Sequence, residues 1–301
     1  MLSQTSEIGR QISEIDTQYR QLLKTILDHG EQDKAQQGVD TISMLAPLSL
    51  RFKIQEGFPI ITERRISEKM WRQAIGEMIG FMHGARTQAE LESYGCNWWK
   101  HWATPEKCAK RGLEAGDLGP GSYGAAFHDF PMADGGSFNQ FQAVVEQIKE
   151  LPHLKTHFIS PWIPQYQFRG QGKQQKVVVC PCHGWIHFRV LNGKLSLHMF
   201  QRSSDVPIGL PANLAQYGAL LLMMAEVTGY EPYEYIHSFS DAHIFVDQVP
   251  KIQELLTRPP LPLPQMVLKN KKSDLFAYRV EDFELVDYEP NLGMWDIPVA
   301  V

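Results

Sequence analysis

Cysteine is scarce in this chain, with four among 301 residues. That is too few for a disulfide framework, and the one close pair, Cys180-Pro181-Cys182, has no second pair at zinc spacing. No histidine pair at helical spacing falls on a predicted helix, so no metal site is expected. Long apolar runs are also missing. No segment approaches the length that spans a bilayer, and the first residues lack a basic stretch followed by an apolar one, so no membrane partner and a reduced, cytoplasmic setting are expected. Charge of one sign is not in excess. A formal net charge of −5 provides no overall basic field, so a nucleic-acid polymer is not the expected partner. Repeats and low-complexity linkers are absent too, which leaves a single domain over 1–301, and 43% apolar residues suffice for its core. The mixture of helical and alternating patterns defines a mixed α/β fold.

What is present centres on the stretch from Cys180 to Asn213. Trp185–Val190 and Leu195–Phe200 read as strands around Asn192-Gly193, a dipeptide that favours a two-residue type I′ turn. Such a turn pairs Leu191 with Lys194 and, further along, Cys182 with Ser203, so the thiol meets the neighbouring Arg202. A fixed positive charge lowers a thiol's pKa, which makes Cys182 a candidate activated nucleophile. The plainer alternative is that Cys180 and Cys182 are small core residues.

Elsewhere, apolar spacing predicts a first helix over about 8–28, followed by a polar loop to Asp40. Thr41 to Ile54 reads as strand, with Leu48, Leu50, Phe52 and Ile54 alternating. Met70–Gly84 reads as an apolar helix containing Glu77, an environment that raises a carboxyl pKa. Trp98, Trp99 and Trp102 offer flat surfaces for a planar ligand or an aromatic core. Phe138–Leu151 is a further helix, Thr156–Trp162 a short strand and Gly170–Lys176 a loop. Leu214–Val227 is a buried helix closed by Gly229, with Asn213 as a candidate N-cap.

Several ordered motifs in this sequence are similar to one family. Pro181-Cys182-His183, then Gln201-Arg202-Ser203-x-Asp205, then Gly209-Leu210-Pro211-x-Asn213 resemble the folate-dependent thymidylate synthases, a family that includes pyrimidine nucleotide hydroxymethylases. Asp117-Leu118-Gly119-Pro120 with Tyr123-Gly124, Ser240-Asp241-Ala242-His243, the proline-rich 256–264 segment and the final Pro298-Val299-Ala300-Val301 extend the likeness from about Arg51 to the last residue. The resemblance implies a thymidylate-synthase-like mixed sheet packed with helices, a homodimer and 5,10-methylenetetrahydrofolate as cosubstrate. It makes Cys182 the nucleophile that adds to C6 of a pyrimidine and Arg202 its electrostatic activator and phosphate ligand. Ser203 becomes a phosphate contact, Asn213 the reader of the base and His243 a sugar contact. Glu77 and Tyr123 form the proton network, and His183 is structural. Trp99, Trp102, Asp205, Gly209 and Val301 line the folate, with 294–301 as a mobile lid.

The departures lie around phosphate and sugar. The family's early arginine loop reads Gln37-Gly38-Val39-Asp40-Thr41, and the arginine pair that crosses a dimer reads Lys155-Thr156. Lysine keeps the charge and loses the bidentate fork. Arg64, Lys34 and Arg169 are candidates to compensate. Phe245 replaces a tyrosine hydroxyl, and Ala212 a bulky aromatic. The implied activity is dUMP to dTMP. The alternatives are a C5-hydroxymethylase acting on dUMP, UMP, dCMP or CMP, and a nucleotide- or folate-binding protein without turnover.

Overall fold

A computed structural model of the chain describes residues 17–35, 38–291, 293 and 296–300. In chain order its helices are α1 (Gln18–His29), α2 (Glu68–Met82), α3 (Gln88–Ser93), α4 (Pro105–Ala109), α5 (Tyr123–His128), α6 (Gln140–Glu150), α7 (Pro164–Gln167), α8 (Gly209–Thr228) and α9 (Val249–Leu256). The strands are β1 (Glu31–Lys34), β2 (Asp40–Leu45), β3 (Leu50–Lys53), β4 (Phe130–Pro131), β5 (Ser137–Phe138), β6 (Phe158–Ile159), β7 (Trp185–Leu191), β8 (Lys194–Asp205), β9 (Glu231–Phe245), β10 (Gln265–Leu268) and β11 (Phe283–Val286). The main sheet runs β1-β2-β9-β8-β7-β6, and β3 also pairs with β9. Strands β8 and β9 are parallel and joined through α8, while the other pairs in this sheet are antiparallel. The fold is a single mixed α/β domain, as expected.

The β7–β8 hairpin forms as the sequence dictates. Asn192 and Gly193 take φ of 51° and 75°, the left-handed pair that a type I′ turn needs, and pairing runs from Leu191↔Lys194 to Trp185↔Phe200. Ile186, Phe188, Leu195, Leu197 and Met199 then point to one face and are fully buried there. Helix α8 covers that face, wedged between the sheet and α2, so it is apolar on nearly every side. It starts earlier than predicted, because Pro211 sits in a first turn where its missing N–H costs nothing. Asn213 therefore lies inside the helix and is not its cap. Gly229 closes the helix at φ 77°.

Two expectations near the start are corrected. The polar 30–40 stretch contains β1, an edge strand whose four residues are all exposed. Backbone pairing to β2, not an apolar face, makes it a strand. The strand predicted over 41–54 is split at Ala46-Pro47. Its halves β2 and β3 both pair with β9, and Leu48 is left 80% exposed in the break. Helix α1 buries Tyr19, Leu22, Leu23 and Ile26, and the earlier part of the predicted helix lies outside the described residues. No helix among the described residues is long and apolar enough to cross a membrane.

Candidate active site

Cys182 stands where the chain enters β7. Gly184, at φ +101° and packed so that a Cβ would come within 2.9 Å of Phe127, bends the backbone out of the hairpin ladder just before Trp185. Cys182 is thus not paired with Ser203 as the turn alone implied. Its carbonyl instead accepts the Arg202 backbone N–H at 2.7 Å. The predicted meeting of side chains does occur: Arg202 Nη2 lies 3.4 Å from Cys182 Sγ. The guanidinium is held by the Pro181 carbonyl on Nε (2.8 Å) and the Cys180 carbonyl on Nη2 (3.0 Å). The expected consequence is corrected. Burial raises the thiol above its ordinary value and Arg202 only opposes that rise.

Tyr123 fixes the nucleophile from below. Its hydroxyl accepts the Cys182 backbone N–H at 2.6 Å and the His183 N–H at 3.4 Å, and its ring is stacked between Phe81 and His183. His183 Nδ1 meets the Tyr217 hydroxyl at 2.6 Å, and burial pushes this imidazole down to about 3, so it stays neutral and structural.

Glu77, buried on α2, accepts Trp99 Nε1–H on Oε1 (2.6 Å) and Gln216 Nε2–H on Oε2 (2.5 Å). Burial pushes its carboxyl up to about 7, against the pull of those donors, as its apolar helix suggested. Gln216 Oε1 accepts from Asn213 Nδ2 (2.8 Å), and Asn213 Oδ1 accepts from Gln201 Nε2 (3.2 Å). Trp99, Glu77 and Asn213 are therefore brought together through Gln216, and Gln201 holds Asn213 from its other side; the sequence reading passed over both glutamines. Their signal was there: Gln216 interrupts an otherwise apolar helix, and Gln201 takes an inward strand position after Met199.

Beyond Arg202, Asp241 Oδ2 accepts from Ser203 Oγ (3.1 Å) and pairs with His243 Nδ1 (2.8 Å), gathering two predicted nucleotide contacts. Asp205 ends β8. Burial pushes its carboxyl up to about 6, opposed by His243, the Ile208 N–H, Gln248 and Arg64. Gln248, also overlooked, reaches both Asp205 (3.3 Å) and the Pro298 carbonyl of the C-terminal segment (3.0 Å). Gly209 follows, with no atom nearer than 4.0 Å to the place of a Cβ, so its surface is open.

Other predicted residues fall elsewhere. Arg64 is buried and donates to the Pro207 carbonyl at 2.9 Å, beneath the loop that follows Asp205, so it does not stand at an open entrance. Lys155 is exposed beside β6, where its backbone carbonyl faces His187 Nε2 at 3.1 Å. Trp102 is half-buried under the Lys107 ammonium. Val301 lies outside the described residues. Among the described residues no His, Cys, Asp and Glu cluster is arranged to hold a metal.

A thiol beside a guanidinium, with a buried carboxyl group and an amide relay at the end of a mixed sheet, is an arrangement suited to covalent nucleophilic chemistry. A thymidylate synthase family model matches residues 17–301, nearly the whole chain, and the chain belongs to that family. It is a one-carbon transferase of the folate-dependent class that acts at C5 of a pyrimidine nucleotide.

Proposed function

We propose that the protein is a thymidylate synthase that converts dUMP to dTMP with 5,10-methylenetetrahydrofolate. The observation that carries this reading is the convergence of Cys182, Arg202, Tyr123, Glu77 and Asn213 on one buried locus. Carbon 5 of a pyrimidine is a weak nucleophile. Addition of the Cys182 sulfur to C6 breaks the 5,6 double bond and turns C5 into an enolate-like carbon able to attack an electrophile. Arg202 favours the thiolate that makes this attack and offers charge to the phosphate, with Ser203 beside it. Glu77, poised near neutrality, exchanges the protons that the base gains and loses. His243 faces the sugar.

The residues fit a folate. Asp205 offers a buried carboxyl to a pterin amide, Gly209 an open surface and Trp102 a flat one, while the segment at Pro298, tied to Asp205 through Gln248, serves as a lid. The bound folate supplies the one-carbon unit and, in a synthase, a hydride. Phosphate binding is completed by cations other than the family's arginines. One source is the cavity of about 540 Å³ lined by Lys110, Arg111, Arg169 and Lys173, next to Gln175, whose Nε2 reaches Cys180 Sγ. The sheet face carrying Trp185, Phe200 and the exposed Phe158 is the homodimer surface.

A second reading is favoured by Ala212. It stands next to Asn213 in α8, buried, where the resemblance leads one to expect a bulky aromatic, and a smaller side chain there suits capture of the one-carbon unit by water as a hydroxymethyl group. Incubation with methylenetetrahydrofolate and dUMP, UMP, dCMP or CMP separates the readings. A methyl mass increment with dihydrofolate absorbance marks the synthase, and a hydroxymethyl increment with tetrahydrofolate marks the hydroxymethylase. Undiminished product from Cys182→Ser would rule out the covalent step.

A further inference from the structure

The backbone strap that carries Cys182 has a second cationic neighbour besides Arg202. The cavity of about 540 Å³ beside it is lined by Lys110 and Arg111 at the end of α4 and by Arg169, Lys173, Gln174 and Gln175, with two glycines and no carboxylate. The chain around Lys173 is shaped to present these groups. Gly170 and Lys173 exchange backbone hydrogen bonds of 3.3 and 3.0 Å around Gln171-Gly172, and Gly172 takes φ 72°, which only glycine adopts at no cost in a tight turn. Arg111 is fixed by backbone carbonyls: its Nε donates to Val177 and its Nη1 to Lys107, both at 2.8 Å, and neither acceptor neutralises its charge. Lys110 meets Glu106 at 3.0 Å, but both side chains are exposed, and such a pair yields readily to a stronger anion.

The cavity adjoins the strap directly. Gln175, on its wall, reaches Cys180 Sγ with Nε2 at 2.6 Å, and the Cys180 carbonyl in turn holds Arg202 Nη2 at 3.0 Å. Burial raises the Cys180 thiol, and Arg202 opposes that rise with Arg169 and Arg111 behind it, so the field of the cavity reaches the same strap. Size and charge both exceed what one phosphate needs. A monophosphate carries about −2 and is already offered Arg202 and Ser203. Four further cations stand in the cavity. Sites of roughly 300–1,000 Å³ hold whole small molecules, not one phosphate group. A phosphate chain matches better, since each added phosphate brings about one more negative charge and further acceptor oxygens for ammonium, guanidinium and amide donors.

We propose that this cavity is a subsite for the second and third phosphates of a nucleotide whose first phosphate lies at Arg202, so that pyrimidine nucleoside triphosphates occupy the substrate site more tightly than the monophosphate and exclude it. This rests on the proposed nucleotide site, so the test measures binding without folate or turnover, and without divalent cations that would mask phosphate charge. In calorimetric titrations of the wild-type protein with dUMP, dUDP and dUTP, the dissociation constant should fall along the series by about tenfold or more in all, and dUTP should displace dUMP. Lys110→Met/Lys173→Met changes two exposed side chains and is checked as folded by its melting curve. In it the dUTP-to-dUMP preference should drop by about fivefold, whatever happens to absolute affinity. A control that removes two lysines elsewhere on the surface, Lys24→Met/Lys271→Met, should keep the preference. An equal drop in the control would assign the effect to overall charge and overturn the proposal. A wild-type series that is flat or favours dUMP would overturn it without any variant, as would dUTP that binds alongside dUMP. Binding of none of the three nucleotides would overturn the proposed function and the subsite with it.

Discussion

Arg202 Nη2 lies 3.4 Å from the Cys182 sulfur and 3.0 Å from the Cys180 carbonyl, so one nitrogen serves both the nucleophile and the strap of backbone that carries it. The carbonyls of Pro181 and Cys180 aim the guanidinium and also take up part of its field. Burial meanwhile disfavours the thiolate, and the balance leaves the thiol raised.

It follows that Arg202 is what keeps Cys182 usable. In a Cys180→Ala background, the pH midpoint for alkylation of Cys182 should lie above the roughly 8.5 of a free cysteine. Arg202→Met should move the midpoint higher and slow alkylation at pH 8 by about tenfold. A midpoint below 8 in the unsubstituted background would show that the guanidinium outweighs burial, contrary to this account.

Glu77 links chemistry to stability. Its carboxyl titrates at about 7 when folded, against a reference of 4.5, so between those values the folded chain binds more protons than the unfolded one. Stability from this group is full below pH 4.5 and is lost as pH rises through 7, a loss of about 3 kcal/mol at ~1.4 kcal/mol per unit. Urea unfolding of the wild type and Glu77→Gln should therefore give curves that converge or cross by about that amount from pH 4.5 to pH 8. Asp205, raised in the same direction, contributes equally to both proteins and cancels. Parallel curves would place the titration elsewhere.

Much of this site was legible because short-range rules govern it. The Asn192-Gly193 turn sets the register of the hairpin, and the register brings Arg202 to Cys182. Glu77 announced its raised pKa by its apolar neighbours on α2. What the sequence could not disclose depends on contacts between distant elements. The inward glutamines read as minor polar interruptions until α2, α8 and β8 come together around them. Arg64 read in the sequence as a cation free to meet the phosphate, and only the packing of the loop after Asp205 buries it. The sign of the Cys182 shift failed to follow from Arg202 alone because burial is a tertiary property.

Gly184 is the local device that separates the nucleophile from the strand. Gly184→Ala would put a Cβ at φ +101° within 2.9 Å of the Phe127 ring, and both the strain and the overlap act against it. A destabilisation of about 1–3 kcal/mol is expected in chemical denaturation, with Cys182 alkylation changed in the same variant. A fully stable Gly184→Ala protein with unchanged thiol reactivity would mean that the bend is not required.

Gln248 is the test of the lid. Its single NH₂ group reaches Asp205 and the Pro298 carbonyl, so it couples the carboxyl proposed to face the pterin with the segment proposed to close over it. Gln248→Leu removes both bonds, and with them the Oε1 acceptor of the Phe245 backbone N–H (3.0 Å), while leaving Cys182, Arg202 and the Asn213 relay untouched. The KM for methylenetetrahydrofolate should rise by about tenfold, and nucleotide affinity measured without folate should stay unchanged. Limited proteolysis should also cut the C-terminal segment faster in the variant, since the backbone carbonyl at Pro298 loses its anchor. Equal loss of nucleotide and folate affinity would instead show that Gln248 supports the end of β9 as a whole, and that the C-terminal segment closes by contacts other than this one.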